Sequence, residues 1–180
     1  MLYRVFAWDP TVEPKPLDVP RERQGTGRHD APDRYLALYL AREPQSAVAE
    51  RIQAFRGHRL TAQDLVRADG RILALASLDD SSLPPLVDLD DPAMLVELRR
   101  RPSHVATGDR LTTQGLAREL FLKGATGISW WSIIEAMWTN VTLFGERLPD
   151  GRLPVREAVP LSLDHPDVAA AADRLGIRLA

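Results

Sequence analysis

A chain of 180 residues with 44% hydrophobic residues is long enough to bury one substantial core, and 23 Lys and Arg against 25 Asp and Glu leave a formal charge of -2. That balance gives no general attraction to nucleic acid or to an anionic membrane surface, although a local basic cleft remains open. The absence of cysteine excludes disulfides, thiolate nucleophiles and zinc sites built on Cys, and His29, His58, His104 and His165 show no paired ligand spacing, so no structural metal is expected.

The start, MLYRVFAWDP, has neither a basic leader nor a long apolar region, and the longest apolar run, Tyr35 to Ala41, is too short to span a bilayer. A single soluble, cytoplasmic domain is the expectation. Leu2 to Trp8 reads as an opening strand, followed by a passage broken by Pro10, Pro14, Pro16 and Pro20 that delivers Gly25, Gly27 and Arg28. Tyr35 to Ala41 has the pattern of a strand covered on both faces. Pro44 suits a first helical position, and Val48, Ile52 and Phe55 recur as a buried stripe in a helix that ends before Gly57.

Further along, Ile72 to Ala76 reads as a strand and Pro92 to Arg100 as a short helix. Thr112 or Thr113 is expected to cap a helix whose apolar face is Leu116, Ala117, Leu120 and Phe121, stopped at Gly124. Strands follow at Gly127 to Trp131 and Thr139 to Phe144, then a turn over Leu148 to Leu153 with an Asp-Gly pair, a strand at Val155 to Leu161 and a helix at Asp164 to Leu175. Strands and helices mix without strict alternation, which predicts an α+β fold.

Three positions stand out chemically. Arg4 would share a strand face with Leu2, Phe6 and Trp8, so a carboxylate or a bound anion should meet its guanidinium. Leu36, Leu38 and Leu40 should point one way, and Tyr35, Ala37, Tyr39 and Ala41 the other, giving a face with two phenols. Glu50 lies about 200° around its helix from Val48, facing water or a groove. Each also has a bland reading: Arg4 in a structural ion pair, Tyr39 as a core aromatic, Glu50 as a solvated helix residue. The Arg99-Arg100-Arg101 run fits a solvated helix end, and Trp130-Trp131 fits core or interface. Gly25-Thr26-Gly27 lacks the third glycine and the preceding strand of a dinucleotide fingerprint, and neither a lysine-containing phosphate loop nor GxSxG is present.

In order along the chain, LYRV (2–5), GTGRHDAP (25–32), LYLAREPQSAVAE (38–50), TQGLA (113–117), GISWWS (127–132) and NVTLF (140–144) span about four fifths of the sequence and resemble the RES-domain proteins, named for an arginine, a glutamate and a serine. The resemblance implies an ADP-ribosyltransferase-like mixed sheet core with flanking helices that consumes NAD as co-substrate. It also implies the toxin of a bacterial toxin-antitoxin pair, with an Xre-like antitoxin covering the active cleft. Carried over residue by residue, Arg4, Arg28, Tyr39, Glu50 and Ser132 match the family's signature positions, whereas His29 and Asp30 stand where members often have an aromatic and an asparagine.

On that resemblance Glu50 would bind a ribose hydroxyl and stabilise developing oxocarbenium charge, with Arg4 and Arg28 on the pyrophosphate, Tyr39 on the nicotinamide and Ser132 on ribose or amide. On the same resemblance the acceptor of ADP-ribose would be a protein side chain, phosphate or water, a choice the sequence leaves open. The alternative is a non-catalytic module of the same fold that partners a helical regulator, which the His29-Asp30 departure and the tryptophan pair would fit.

Overall fold

A computed structural model describes residues 1–148 and 152–180. In chain order the elements are β1 (Leu2–Trp8), β2 (Ala37–Ala41), α1 (Pro44–Ile52), β3 (Arg59–Leu60), β4 (Ile72–Leu78), β5 (Val87–Asp88), α2 (Pro92–Glu97), α3 (Pro102–Val105), α4 (Arg110–Leu122), β6 (Gly127–Trp131), β7 (Thr139–Phe144), β8 (Val155–Pro160), α5 (Pro166–Leu175) and β9 (Arg178–Leu179). The fold is α+β, as the mixed order of elements predicts. The Asp150-Gly151 turn lies outside the described residues.

The chain forms two compact units. The first comprises Met1–Pro16, Ala41–Asp79 and Pro154–Ala180. Here β4 is central, antiparallel to β1 from Leu2↔Leu78 to Trp8↔Ile72 and to β8 from Ala74↔Pro160 to Leu78↔Val155. Central placement explains its near-continuous apolar sequence: Leu73, Ala74, Leu75 and Ala76 are all buried. On the other side of β1, Tyr3 pairs with Ala41, the last residue of β2. Helix α1 starts with Pro44 at its first turn, where a missing amide costs nothing, and buries Ser46, Val48, Ala49 and Ile52. It packs against α5 and β1, while β3 and β9 form a short parallel ribbon.

The second unit comprises Leu17–Leu40 and Asp80–Leu153. Its strand order is β5-β6-β7-β2, with β5 parallel to β6 and β6 antiparallel to β7 from Gly127↔Leu143 to Trp131↔Thr139. Ala31, Tyr35, Leu116, Leu120, Ile128 and Phe144 form the centre of its core. The ring of Phe144 sits 4.4 Å from that of Tyr35 and 5.4 Å from that of Phe121.

Helix boundaries differ from the sequence expectation: α1 stops at Ile52, short of Phe55, α5 starts at Pro166 rather than Asp164, and two further shifts have contacts that explain them. Helix α4 is capped by Asp109, whose carboxylate accepts from the Leu111 amide at 3.0 Å, so the helix begins before Thr112 and Thr113. Thr112 instead donates to Asp109, and Thr113 is turned into the interior. Helix α2 ends at Glu97 rather than Arg100, because Arg99 turns left-handed (φ 52°) and the Arg100 amide closes back onto the Leu95 carbonyl at 2.8 Å. Arg100 then pairs with Glu119 of α4 at 2.5 Å, which ties the middle of the arginine run to that helix within the second unit. Gly124, at φ 93°, follows α4 as expected.

Candidate active site

The loop from Gln24 to Asp30 is held from both sides of its backbone. On one side the Asp30 carboxylate accepts from the Gly25 and Gly27 amides through Oδ2, each at 2.7 Å. On the other side α4 takes the carbonyls: Gln114 Nε2 donates to Gly25 O at 3.1 Å and Gly27 O at 2.9 Å, and Thr113 Oγ1 donates to Arg28 O at 2.5 Å. Gln24 fastens the loop's start to β2 by bonding both backbone groups of Ala37. A loop without regular structure thereby satisfies its polar backbone, which burial demands. The TQG segment of the sequence is the clamp on this loop.

Gly27 is enclosed by that arrangement. A Cβ there would lie 2.5 Å from Asp30 Oδ1 and 2.5 Å from the Tyr39 hydroxyl. Gly27→Ala is expected to cost about 1–3 kcal/mol, the usual range for overpacking, read as a lower urea midpoint with unchanged slope.

Arg28 is buried, with Nη1 donating to Val105 O at 2.9 Å and Thr107 O at 2.7 Å and its guanidinium 4.8 Å from the centre of the Trp130 ring. Such stacking adds to the carbonyl bonds in fixing the group. Trp130 is core, and Trp131 packs half-buried beside it. Next to Trp130 lies His29, edge-on at 5.4 Å, with Nδ1 2.8 Å from Thr142 Oγ1 of β7. Tyr39 completes the cluster: its hydroxyl donates to Asp30 Oδ1 at 2.6 Å and accepts from the His29 amide at 2.8 Å. Burial, and then the hydrogen bond to Asp30, push the Tyr39 phenol well above its ordinary range, so it stays protonated.

Burial, reinforced by the Arg28 and Arg110 charges, lowers His29 from 6.5 to about 3. The folded protein therefore binds fewer protons than the unfolded chain between those values, and stability falls as pH drops below 6.5. The expected loss is at most about 1.4 kcal/mol per pH unit. Urea titrations in steps below pH 6.5 should show the decline, and a His29→Gln variant should flatten it.

Ser132 follows β6 and is buried; its Oγ accepts from the Ile134 amide at 3.1 Å and its own amide donates to Trp138 O at 2.7 Å. It thus organises the turn into β7, from which Ile133 and Met137 project outward, 58% and 84% exposed. Arg28, Tyr39 and Ser132 belong to the second unit, Arg4 and Glu50 to the first. Arg4 sits mid-β1 opposite Ala76, half-buried. Glu50 is half-buried on α1, where Gln53 Nε2 donates to its Oε2 at 2.9 Å and to its carbonyl at 3.0 Å. A cavity of about 350 Å3 in the second unit, lined by Leu17, Val19, Arg21, Leu36, Leu38 and Glu146, lies along the leucine face of β2. Among the described residues, no group of three or more His, Asp or Glu is placed to hold a metal, and no helix is long and apolar enough to cross a membrane.

Sequence reasoning assigned no site role to Asp30, Gln114 or Thr142, and read Thr113 as a candidate helix cap. The signal for Asp30 was present: a carboxylate three and five residues after two glycines can reach back to their amides.

An α+β protein with a glycine-flanked arginine loop, clamped by a carboxylate and by a helix carrying Thr-Gln-Gly, is the class these features define. The chain belongs to the RES-domain family, whose model matches residues 1–164, a span that contains Arg4, Arg28, Tyr39, Glu50 and Ser132. Among solved structures it is similar to a chain of the crystal structure of the M. tuberculosis MbcT-MbcA toxin-antitoxin complex, with 19% identity and a TM-score of 0.64 over 97% of this chain and 88% of that one. That likeness is one of fold. No curated protein sequence gives a significant match.

Proposed function

We propose that the chain is the NAD-consuming toxin of a toxin-antitoxin pair, cleaving the bond between nicotinamide and ribose and passing ADP-ribose to a protein side chain, phosphate or water. The observation that carries this reading is family membership over residues 1–164, the span in which Arg4, Arg28, Tyr39, Glu50 and Ser132, the positions matched by the sequence resemblance, follow in order. The ADP-ribosyltransferase-like fold and the cytoplasmic setting, where NAD is available, are part of the same reading.

The chemistry needs little covalent help. When the glycosidic C–N bond breaks, its electron pair returns to the pyridinium nitrogen, nicotinamide leaves neutral, and positive charge develops on the ribose. Glu50 supplies the carboxylate that accepts a ribose hydroxyl proton in a hydrogen bond and stabilises that charge. Arg4 supplies a guanidinium for the pyrophosphate. For Arg28, the other arginine of the signature, a grip on phosphate by its Nη1 would mean giving up the Val105 and Thr107 carbonyls, so its first duty is to hold the loop. Tyr39 offers its ring to the nicotinamide, and Ser132 its hydroxyl to ribose or amide.

The partner, in this reading, is an Xre-like antitoxin that covers the cleft; support comes from the toxin-antitoxin complex to which the fold is similar. Incubating the purified chain with NAD, phosphate and a cell lysate, and following ADP-ribose by mass spectrometry, tests the reading and identifies the acceptor. Free nicotinamide with ADP-ribose on phosphate, on protein or free in solution supports it; intact NAD speaks against it.

A further inference from the structure

A phenol has one proton to donate, and in Tyr39 that proton is given to Asp30 Oδ1 at 2.6 Å while the oxygen accepts the His29 amide at 2.8 Å. The same carboxylate, 4% exposed, accepts both glycine amides of the loop through its other oxygen. One buried group therefore sets the position of the Gly25–Gly27 backbone and the polarity of the Tyr39 hydroxyl together. We propose that Asp30 is a positioning residue for nicotinamide release: it acts through Tyr39, holding that ring in one place and its proton pointing inward, an inference that rests on the NAD-cleaving reading above.

The chemistry of the carboxylate is what makes the device work. Asp30 presents four acceptor sites and no donor, which matches three converging donors: two N–H groups and one O–H. An asparagine of the same shape has only one oxygen. If that oxygen keeps the glycine amides, its NH2 faces Tyr39 and forces the phenol to become an acceptor, with its proton sent elsewhere; the reverse orientation sets NH2 against two N–H donors. Either way the charge-assisted tether is gone. Gln114 and Thr113 hold the opposite side of the loop, so the backbone has a second support when Asp30 changes.

The test combines a spectroscopic signature with a mutant cycle. The ultraviolet resonance Raman tyrosine doublet distinguishes a phenol that donates a strong hydrogen bond from one that accepts. The difference between wild type and Tyr39→Phe isolates Tyr39 from Tyr3 and Tyr35, with no change at residue 30. A donor signature that is weakened or lost in Asp30→Asn is expected; an acceptor signature in the wild type, or one unchanged in Asp30→Asn, overturns the tether.

With NAD as substrate, Asp30→Asn and Tyr39→Phe should each lower kcat/KM by about tenfold, the scale of one lost charge-assisted bond. The double variant should be no worse than either single one, because both remove the same link. Multiplied losses would show that Asp30 does not act through Tyr39 and overturn the proposal. If the wild type releases no nicotinamide, the NAD-cleaving reading fails, and the positioning role of Asp30 falls with it even where the Raman signature upholds the tether. Should Asp30→Asn not fold, the wild-type difference spectrum still decides the polarity of the bond.

Discussion

Glu50→Ala should slow nicotinamide release from NAD by on the order of 10²–10³-fold, the loss typical when one preorganised group facing developing charge is removed. Fold stability should change little. Glu50 is half-buried on α1 and outside the stripe of Ser46, Val48, Ala49 and Ile52 that the helix buries, and the neighbouring Gln53 is one of its side-chain partners. Alanine is also the better helix former. The combination of a lost rate and a retained melting curve separates a chemical role from a structural one, and Glu50→Gln should fall nearly as far as Glu50→Ala, since an amide keeps the shape without the charge. Growth arrest on expression without a partner, abolished by Glu50→Ala, would carry the same result into the cell and exclude the passive-module alternative. Measured nicotinamide release equal to wild type in a folded Glu50→Ala protein would remove Glu50 from the mechanism.

The largest stability effect is expected at Phe144. Its ring is fully buried at the end of β7, tilted against Tyr35 at 4.4 Å and edge-on to Phe121 at 5.4 Å. Truncation to alanine should cost about 3–5 kcal/mol, a large share of the stability of a domain this size. Phe144→Leu should cost less, because it keeps most of the volume. Chemical denaturation checks both, and Phe144→Ala should also loosen Tyr35, whose hydroxyl donates to the His29 carbonyl at 2.7 Å and so supports the loop bearing Arg28 and Asp30. A midpoint within error of wild type would mean that this cluster does not hold the second unit together.

How much of this was legible in the sequence depended on whether the determining contacts were local. β1, β6 and β7 were read at their observed limits because a strand's alternating or continuous apolar pattern is written in five to seven successive residues. β3, β5 and β9 have two residues each, too few to show any period, and went unseen. The cap of α4 was misplaced because three candidate capping side chains stand close together, and only the direction of the Asp109 carboxylate decides among them. Arg28 shows the same limit at the candidate site. Its residue type was legible, but its partners are backbone carbonyls 77 and 79 residues away, which no side-chain pattern reveals. Asp30 was visible as a departure from the family pattern, and its purpose became visible only once the two glycine amides and the Tyr39 hydroxyl were seen to converge on one carboxylate.

The central claim, that this RES-domain chain breaks the nicotinamide-ribose bond of NAD, is tested most directly by incubating the purified protein with NAD, with and without phosphate, and quantifying free nicotinamide by chromatography. The account predicts steady release of nicotinamide by the wild type that collapses in Glu50→Ala. NAD left intact by a folded wild-type protein, or equal release by both proteins, would contradict it.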